Sequence, residues 1–268
     1  MTPAIRRTTL VTGASSGIGA AFAEVFAAEG FDLVVTARRE DRLAVLARTL
    51  EQRYGTRVHA IAADLSERDA PERLCRQLEA RGLTIDALVN NAGYGIPGAF
   101  VASEWTRHAA MLQVMIVALA ELTRRLLPGM IASGYGRVIN VASLAALVPA
   151  PAGHTLYAAS KAFVVKFSEA LAAEAGPSGV HVTALCPGFT LSEFHDVTGT
   201  RATVSQLPSW LWMDAPTVAR QGFDAVMAGA PVYVTGRVNR TIALLTRYLP
   251  RPVLVALGRR AARRYRRS

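Results

Sequence analysis

The chain has 268 residues, of which 51% are apolar, and a formal net charge of +10. This apolar fraction excludes a disordered or fibrous protein, and the length is sufficient to bury a sizeable hydrophobic core. Two cysteines, Cys75 and Cys186, exclude a disulfide framework and a four-thiolate zinc site, and they suit a reducing compartment.

Positive charge is concentrated at the C-terminal end. Residues 1–224 contain 20 basic and 20 acidic side chains, whereas residues 225–268 contain ten arginines and no acidic residue. The body of the chain is therefore neutral, and the cationic segment is a tail. Only two of the 30 basic residues are lysines, Lys161 and Lys166, so a lysine at a functional position stands out.

Short β-rich runs alternate with longer helical stretches along the chain. We predict strands over 8–12, 32–36, 57–62, 87–90, 137–142, 180–185 and 232–234, and helices over 17–28, 39–54, 70–81, 104–130, 156–175 and 216–228. Several strand runs are apolar at nearly every position, which indicates parallel strands buried on both faces. The alternation predicts an α/β fold: a single doubly wound parallel sheet with helices on both faces.

Two segments do not follow this alternation. The first is an aromatic-rich insertion over 189–214, and the second is the Arg-rich end of the chain. Loops as long as the insertion are usually functional or mobile. We therefore expect one domain over 1–236, which includes the insertion, and a C-terminal extension over 237–268.

The first predicted strand runs into a glycine-rich turn that opens a helix. Gly13, Gly17 and Gly19 form the pattern G-x-x-x-G-x-G. Glycines in such a turn let the backbone approach a pyrophosphate, which then lies at the helix N-terminus. A strand before the turn and a helix after it favour this interpretation over an ordinary tight turn.

This spacing resembles that of the short-chain dehydrogenase/reductase family, and further motifs follow in the family's order. They are Asn90-Asn91-Ala92-Gly93 after the fourth strand, Ser143 after the fifth, Tyr157-x-x-x-Lys161 starting 14 residues later, and Pro187-Gly188 after the sixth. The resemblance covers residues 8–235. It implies a Rossmann-type fold, a nicotinamide dinucleotide and hydride transfer to or from a carbonyl carbon.

The end of the second strand distinguishes NAD from NADP. An acidic residue there bonds a ribose 2′-hydroxyl, whereas an arginine accepts a 2′-phosphate. The chain has Ala37 at this point, followed by Arg38 and Arg39, so we predict NADP(H) with Arg38 as the phosphate clamp, helped by Ser15 and Arg39. Two solvated surface arginines are the alternative.

The predicted cofactor site combines the turn, the clamp and the family motifs. Asp64 and Leu65 match the family's adenine-contacting pair, although Asp64 also suits a strand-end cap, and Ser192 is the alternative to Thr190. The predicted cofactor-binding residues are Gly13, Ser15, Ser16, Gly17, Ile18, Gly19, Arg38, Arg39, Asp64, Leu65, Asn91, Ala92, Gly93, Tyr157, Lys161, Pro187, Gly188 and Thr190.

Ser143, Tyr157 and Lys161 are the predicted catalytic residues. Tyr157 and Lys161 are four residues apart and share one helix face. An adjacent ammonium and an oxidised nicotinamide stabilise a phenolate and lower its pKa, and Ser143 can hold a carbonyl oxygen. The resemblance implies that Tyr157 delivers the proton while Lys161 also holds the nicotinamide ribose.

One position departs from the family pattern. The family usually has an Asn on the helix after Asn-Asn-Ala-Gly, where it helps to hold a water that links the lysine to solvent. Met115 stands there, and Gln113 points to another face. We interpret Met115 as core packing, with either a backbone carbonyl or another group supporting the lysine, or with slow catalysis. The departure motivates an alternative function, a non-catalytic NADP-binding sensor or scaffold.

The predicted substrate end is apolar, which favours a lipophilic ketone or secondary alcohol with an acyl chain or a steroid-like or aromatic body. His154 either faces this pocket or, as loop histidines more commonly do, lies at the surface. The five histidines are scattered, so no metal site is expected. The apolar residues of the predicted substrate end are Leu144, Leu147, Val148, Pro149, Trp210, Leu211 and Trp212.

The tail over 237–268 mixes arginines with apolar residues. We favour a solvated end that covers the substrate site or a subunit interface; a peripheral membrane anchor is the second interpretation and nucleic-acid binding the last. No secretory core and no run of 18 uncharged apolar residues occurs. We expect a cytoplasmic protein, with membrane association through 237–268 as the open alternative, and the resemblance implies a homodimer or homotetramer.

Overall fold

Seven short strands rich in aliphatic residues form one parallel sheet. The computed structural model describes residues 6–150, 152–193, 208–250 and 253–254. The strands are β1 (Thr8–Thr12), β2 (Asp32–Ala37), β3 (Val58–Ala62), β4 (Ala87–Asn90), β5 (Gly136–Val141), β6 (Val180–Cys186), β7 (Phe189–Leu191), β8 (Trp212–Asp214) and β9 (Val232–Val234).

Helices cover both faces of the sheet, as the sequence predicts. They are α1 (Gly17–Ala28), α2 (Glu40–Tyr54), α3 (Ala70–Ala80), α4 (Trp105–Leu112), α5 (Leu119–Ala132), α6 (Thr155–Ala175), α7 (Ala215–Met227) and α8 (Arg237–Tyr248). The doubly wound α/β fold is confirmed, and the observed bounds either match the predicted ones or differ from them by at most two residues. Among the described residues, none of the helices has the length and apolar composition that a membrane span requires.

Two core layers explain the continuous apolar runs. Val11 and Ile139 join a cluster with the aromatic side chains of α1 and α7, whereas their neighbours Leu10 and Val138 join a second cluster with α3 and α5. Successive strand residues point to opposite faces, so a strand covered on both sides must be apolar throughout.

The predicted helix over 104–130 is interrupted. A π-helical turn over Gln113–Ala118 separates α4 from α5, and Met115 lies inside it. The apolar periodicity of the sequence alone does not reveal such a turn, because a π-helical turn is only about one residue longer than an α-helical turn. Single π-helical turns occur frequently at functional sites.

Strand order reverses between β1 and β4. β2 and β3 lie on one side of β1, while β5, β6 and β9 extend beyond β4. In doubly wound sheets the ligand binds at the carboxyl ends of the strands beside such a reversal. The glycine-rich turn after β1 and the Asn-Asn-Ala-Gly segment after β4 therefore meet there.

The two ends of the insertion are joined by a small parallel sheet. β7 pairs with β8, with Phe189 opposite Trp212. The middle of the insertion, over 194–207, lies outside the described residues, as do Pro151 and most of the extension beyond 250. Within the extension, helix α8 ends two residues before Pro250.

Candidate active site

A cavity of about 490 Å³ follows the carboxyl edge of the sheet. It runs from Arg38 past the glycine-rich turn to Tyr157 and His154. Every predicted cofactor-binding and catalytic residue lines it except Gly19. Gly19 lies beneath the turn, where a Cβ would come within 2.3 Å of Gly13 O, so its role is close packing rather than lining.

The glycine-rich turn is held against the end of β4 by hydrogen bonds. Asn91 Nδ2 donates to Thr12 O and Gly13 O at 3.0 and 3.2 Å, and Thr12 Oγ1 accepts the backbone N–H groups of Asn91 and Ala92, both at 3.0 Å. Gly13 has φ +66° and a Cβ there would lie 2.8 Å from Asn91 Nδ2. Only glycine fits this backbone and this contact.

The N-terminus of α1 opens into the cavity. The first turn of α1 carries no acidic residue, and within the described chain the side chain of its N-cap residue, Ser16, makes no capping hydrogen bond. Unpaired N–H groups and the helix dipole together attract an anion. A cradle in which Gly13 and Gly17 both have positive φ fits the pyrophosphate of a dinucleotide.

The structure brings Arg39, rather than Arg38, onto the glycine-rich turn. Arg39 Nη2 donates to Ser15 Oγ at 2.9 Å and to Ser16 Oγ at 3.1 Å, and its Nη1 pairs with Glu193 at 3.1 Å. Arg38 lines the same end of the cavity and makes no hydrogen bond or ion pair with any residue that the structure describes. Both arginines are therefore available to a phosphate, and Arg39 has the larger set of contacts.

The adenine side has a turn built on Asp64. Its Oδ1 accepts hydrogen bonds from Ser66 N and Ser66 Oγ, at 2.9 and 2.8 Å. The cap interpretation of Asp64 is thus present in the structure, while the residue also lines the cavity beside Leu65. Both interpretations are compatible because the cap uses one oxygen only.

The turn after β6 closes the nicotinamide side. Pro187 O accepts Leu144 N at 2.8 Å, which ties this turn to the segment after Ser143. Thr190 is buried, and its Oγ1 donates to Gly188 O at 3.2 Å. A Cβ on Gly188 would lie 2.5 Å from Asn239 of α8, so glycine is required for this contact.

Ser143 and Tyr157 meet at the apolar end of the cavity. Ser143 follows β5, and its Oγ accepts the N–H of Ala145 at 3.1 Å. Burial raises the pKa of Tyr157, and a side-chain hydrogen bond with Ser143 acts in the opposite direction. We expected a neighbouring ammonium to lower the pKa of this phenol; in the structure burial raises it, so the phenol keeps its proton at neutral pH.

Lys161 is buried beside them. Its Nζ donates to Val141 O at 2.7 Å and lies 5.8 Å from the ring centroid of Tyr157. Burial lowers the pKa of Lys161 to about 8, because the ammonium loses its hydration. Lys161 thus titrates close to physiological pH, which a solvated lysine does not.

Met115 packs as expected, among Ile96, Met111 and Leu156. Its side chain is 1% exposed, and its Sδ lies 4.0 Å from Ser160 Oγ. The carbonyl of Val141 supports Lys161, which is one of the options left open by the loss of the usual Asn. Gln113 does not substitute, since its Nε2 is buried without a partner among the described residues.

Only part of the predicted substrate set lines the cavity. Leu144 and Val148 do, together with Phe189, whereas Leu147, Pro149, Trp210, Leu211 and Trp212 do not. His154 lines the cavity and burial lowers its pKa, so the surface placement that we favoured for it is wrong. Sequence patterns do not show which way a loop histidine points.

Two charged residues near the phosphate end were missed by the sequence analysis. Arg42 and Glu193 are joined by an ion pair with an N–O distance of 2.6 Å. Arg42 lies three residues after Arg39, the N-cap residue of α2, and this spacing indicates side chains on the same side of the helix start. No local signal points to Glu193. No group of His, Cys, Asp and Glu suited to a metal ion occurs among the described residues.

The strand order of the parallel sheet reverses at the crevice, where the glycine cradle and a Ser–Tyr–Lys set lie. This combination defines a nicotinamide-dependent oxidoreductase. The model of the short chain dehydrogenase family matches residues 7–202. A short chain dehydrogenase of Pseudocercospora fijiensis is 40% identical over 208 residues, which is 75% of this chain and 65% of the relative. The chain belongs to the short-chain dehydrogenase/reductase family, and it spans just under two thirds of that relative's length.

Solved structures of similar proteins agree with this assignment. A short-chain dehydrogenase from Sphingobium yanoikuyae in complex with NADPH has a TM-score of 0.80 and 32% identity, over 91% of this chain and 96% of that chain. A bulky-bulky ketone specific alcohol dehydrogenase from Comamonas testosteroni has a TM-score of 0.75 and 28% identity, over 91% and 95%.

Proposed function

We propose that the protein catalyses the NADPH-dependent reduction of a lipophilic ketone, or the reverse oxidation of the corresponding secondary alcohol. As a member of its family the chain is an oxidoreductase of CH–OH or C=O groups, and its cofactor is NADP(H). The observation that carries the proposal is the meeting of Ser143, Tyr157 and Lys161 at the apolar end of a cavity that has two arginines at its other end.

Different residues of the chain bind the cofactor, bind the substrate oxygen and transfer the proton. When bound, NADPH supplies the hydride. The glycine cradle and the α1 N-terminus would hold its pyrophosphate, and Arg38 and Arg39 would hold the 2′-phosphate. Ser143 Oγ binds the substrate oxygen, and Tyr157, whose raised pKa keeps the phenol protonated, donates the proton to that oxygen in the reductive direction. Lys161, held by Val141 O, contributes positive charge beside the phenol as it loses its proton.

The lining of the catalytic end supports a lipophilic substrate. Leu144, Val148 and Phe189 provide an apolar wall. Among the described residues that line the cavity, Lys161 is the only cation at this end, because Arg38 and Arg39 lie at the phosphate end. A carboxylate or sulfonate on the substrate would have no second cation to meet. The similarity to an alcohol dehydrogenase described as specific for bulky-bulky ketones points to the same class.

Initial rates of NADPH oxidation test this function directly. The full chain is assayed with aryl alkyl ketones, a steroid ketone and a long-chain acyl ketone, and with a small anionic aldehyde as the matched control. We expect kcat/KM for the lipophilic ketones to exceed that of the anionic aldehyde by about 100-fold, because several buried methylenes each contribute. A preference for the anionic aldehyde would contradict the lipophilic assignment.

The second candidate is an NADP-binding sensor or scaffold without turnover. Met115 is the observation that favours it, since a thioether stands where the family usually has an amide. Tight NADPH binding by calorimetry, together with the absence of NADPH oxidation for every carbonyl in the panel, would support this candidate. Measurable turnover that depends on Tyr157 would exclude it.

Helix α8 supports a proposal about the C-terminal extension. On its inner side, Thr246 Oγ1 donates to Leu147 O at 3.3 Å, so the helix packs beside the substrate-side loop. On its outer side, Leu244, Leu245 and Tyr248 are exposed among arginines. We propose that α8 covers this loop and that its outer face contacts an anionic membrane surface, since cationic amphipathic helices bind there.

Vesicle flotation of the full chain tests this contact. We expect recovery with phosphatidylserine vesicles, little recovery with phosphatidylcholine alone, and loss of binding in the Leu244→Ser/Leu245→Ser variant. Val45→Ser, an exposed valine on α2, serves as the control. Equal recovery for all variants would contradict the membrane contact.

Members of this family typically oligomerise, and we propose a homo-oligomer here. Val117 and Phe163 expose apolar surface on the π-helical turn and on α6, and Phe163 stacks on Phe167 with centroids 5.8 Å apart. Light scattering of the wild type should give a multiple of the 28.6 kDa chain mass, and Phe163→Glu should lower it. A monomeric wild type would contradict this proposal.

A further inference from the structure

Glu193 pairs with two arginines of the segment that opens α2. Its carboxylate lies 3.1 Å from Nη1 of Arg39, and its two oxygens lie 2.6 and 2.8 Å from Nη1 of Arg42. Hydrogen bonds from Arg42 and then Arg39 hold the pKa of Glu193 below its usual value, so the group is a carboxylate at neutral pH. The ion pair therefore connects the start of the insertion after β7 to the far side of the cofactor cleft.

This ion pair lies at the phosphate end of the cavity. Arg39 simultaneously donates to Ser15 and Ser16 of the glycine-rich turn, at 2.9 and 3.1 Å. Ser192, the neighbour of Glu193, has its Cβ 2.9 Å from the position that a Cβ on Gly17 would take. Glu193 thus shares Arg39 with Ser15, whose hydroxyl group is expected to help hold the 2′-phosphate.

A phosphate that binds between Arg39 and Ser15 meets this carboxylate at short range. Like charges a few Å apart repel, and both anions need donors of the same guanidinium. The side chains of Arg39, Arg42 and Glu193 are 40%, 44% and 41% exposed, so water and salt reduce the repulsion. The expected effect on affinity is therefore several-fold rather than many orders of magnitude.

Arg42 differs from Arg39 in its contacts. It binds both oxygens of Glu193, and it makes no hydrogen bond to Ser15 or Ser16 in the described part of the chain. A guanidinium that holds Glu193 without contacting the turn can retain the carboxylate when Arg39 is needed elsewhere.

We propose that Glu193 is an internal competitor for the 2′-phosphate of NADP(H), a specificity-determining role that rests on the proposed preference for this cofactor. The phosphate takes over the donors of Arg39, and Glu193 remains on Arg42. Arg42 is a positioning residue, because it acts on the phosphate through Glu193. The carboxylate lowers the affinity for NADP(H) and leaves the affinity for NAD(H) nearly unchanged.

Binding measurements that do not depend on turnover test this role. Calorimetric Kd values are compared for NADPH and NADH, and for 2′,5′-ADP and 5′-AMP, which differ by the 2′-phosphate alone. Glu193→Gln should lower the Kd of NADPH and 2′,5′-ADP about fivefold at low salt, less at high salt, and change the Kd of NADH and 5′-AMP by less than about twofold. Glu29→Gln is the matched control, because Glu29 is 40% exposed and pairs with Arg220 at 2.8 Å outside the cavity.

A double-mutant cycle separates the two roles that Arg42 could have. Arg42→Gln should raise the Kd of 2′,5′-ADP about threefold, because Glu193 then relies on Arg39 alone. In the Glu193→Gln background the same change should have no effect. An Arg42→Gln effect that persists in that background would overturn the positioning role, since it would mean direct contact with the phosphate.

The direction of the Glu193→Gln effect decides the proposal. Weaker or unchanged binding of 2′,5′-ADP overturns it, as does an equal change for 5′-AMP. If the wild type binds NADPH no more tightly than NADH, the cofactor preference itself fails and the inference fails with it. If the preference exists and Glu193→Gln leaves it unchanged, only the inference fails.

Discussion

The charged groups at the two ends of the cavity differ in their exposure to solvent. At the phosphate end, Arg39 and Glu193 are 40% and 41% exposed and form an ion pair. At the catalytic end, Lys161 is 6% exposed. Burial there lowers the pKa of Lys161 and raises the pKa of Tyr157, so it favours the neutral form of each group. The exposed end therefore offers permanent, screened charge for binding, whereas the buried end offers groups that exchange protons. Burial, more than residue type, therefore determines which end binds by charge and which end exchanges protons.

The largest expected effect follows loss of the buried phenol. Tyr157→Phe removes the proton donor, so kcat for ketone reduction should fall about 1000-fold while the Kd of NADPH changes by less than about twofold. Stopped-flow rates and calorimetric titration measure the two quantities. A variant that keeps more than a tenth of the wild-type rate would contradict the assigned role of Tyr157.

The pH dependence of reduction tests the buried lysine. The pKa of Lys161 is lowered to about 8, so its ammonium is present below that pH and is lost above it, while the phenol of Tyr157, with its raised pKa, stays protonated. We expect kcat/KM for reduction to be level near pH 7 and to fall up to tenfold per unit above about pH 8. A profile that stays flat to pH 10 would show that this ammonium is not required.

The buried ammonium of Lys161 should also lower the free energy of unfolding at neutral pH. Its pKa is about 8 in the folded state and about 10.4 in an unfolded chain, so between these values the unfolded state binds more protons and the free energy of unfolding rises with pH. Lys161→Met should raise the free energy of unfolding at pH 7 by roughly 1–3 kcal/mol while abolishing turnover. Lys166→Met, at an exposed site, is the control. Urea titrations at pH 7 measure the difference, and a destabilised Lys161→Met variant would contradict the expectation.

At the exposed end the effects should be smaller and specific to the phosphate. Arg39→Ala should raise the Kd of NADPH about tenfold and that of NADH less than twofold, and Arg38→Ala should act in the same direction. Arg76→Ala on α3, an exposed arginine paired with Glu72, is the control. Equal effects on both dinucleotides would refute the clamp.

The smallest change is expected at Met115. Met115→Leu conserves volume in a buried site, so kcat should stay within about threefold and stability within about 1.5 kcal/mol. Met115→Asn, which buries an amide beside Ile96 and Met111, should lower the free energy of unfolding by about 1–3 kcal/mol. Greater stability of the Asn variant would indicate that the site accepts a polar group after all.

Much of this molecule could be predicted from local patterns. The strand runs, the glycine-rich turn and the spacing of Tyr157 and Lys161 are properties of neighbouring residues, and the fold and the family follow from them. The interruption of the long helix by a π-helical turn could not be predicted in this way. Neither could the partner of Lys161, because Val141 O is presented by a strand that lies 20 residues earlier.

Local sequence patterns account for the succession of strands and helices along the chain and for the residue types at the crevice, since apolar runs and glycine positions are properties of neighbouring residues. Long-range packing, in contrast, determines which of Arg38 and Arg39 meets Ser15, that His154 faces the cavity, and that Glu193 contacts the start of α2. These contacts join residues up to 154 positions apart. Their geometry depends on how the whole sheet brings its loops together, and burial at that edge then sets the pKa values of the groups it encloses.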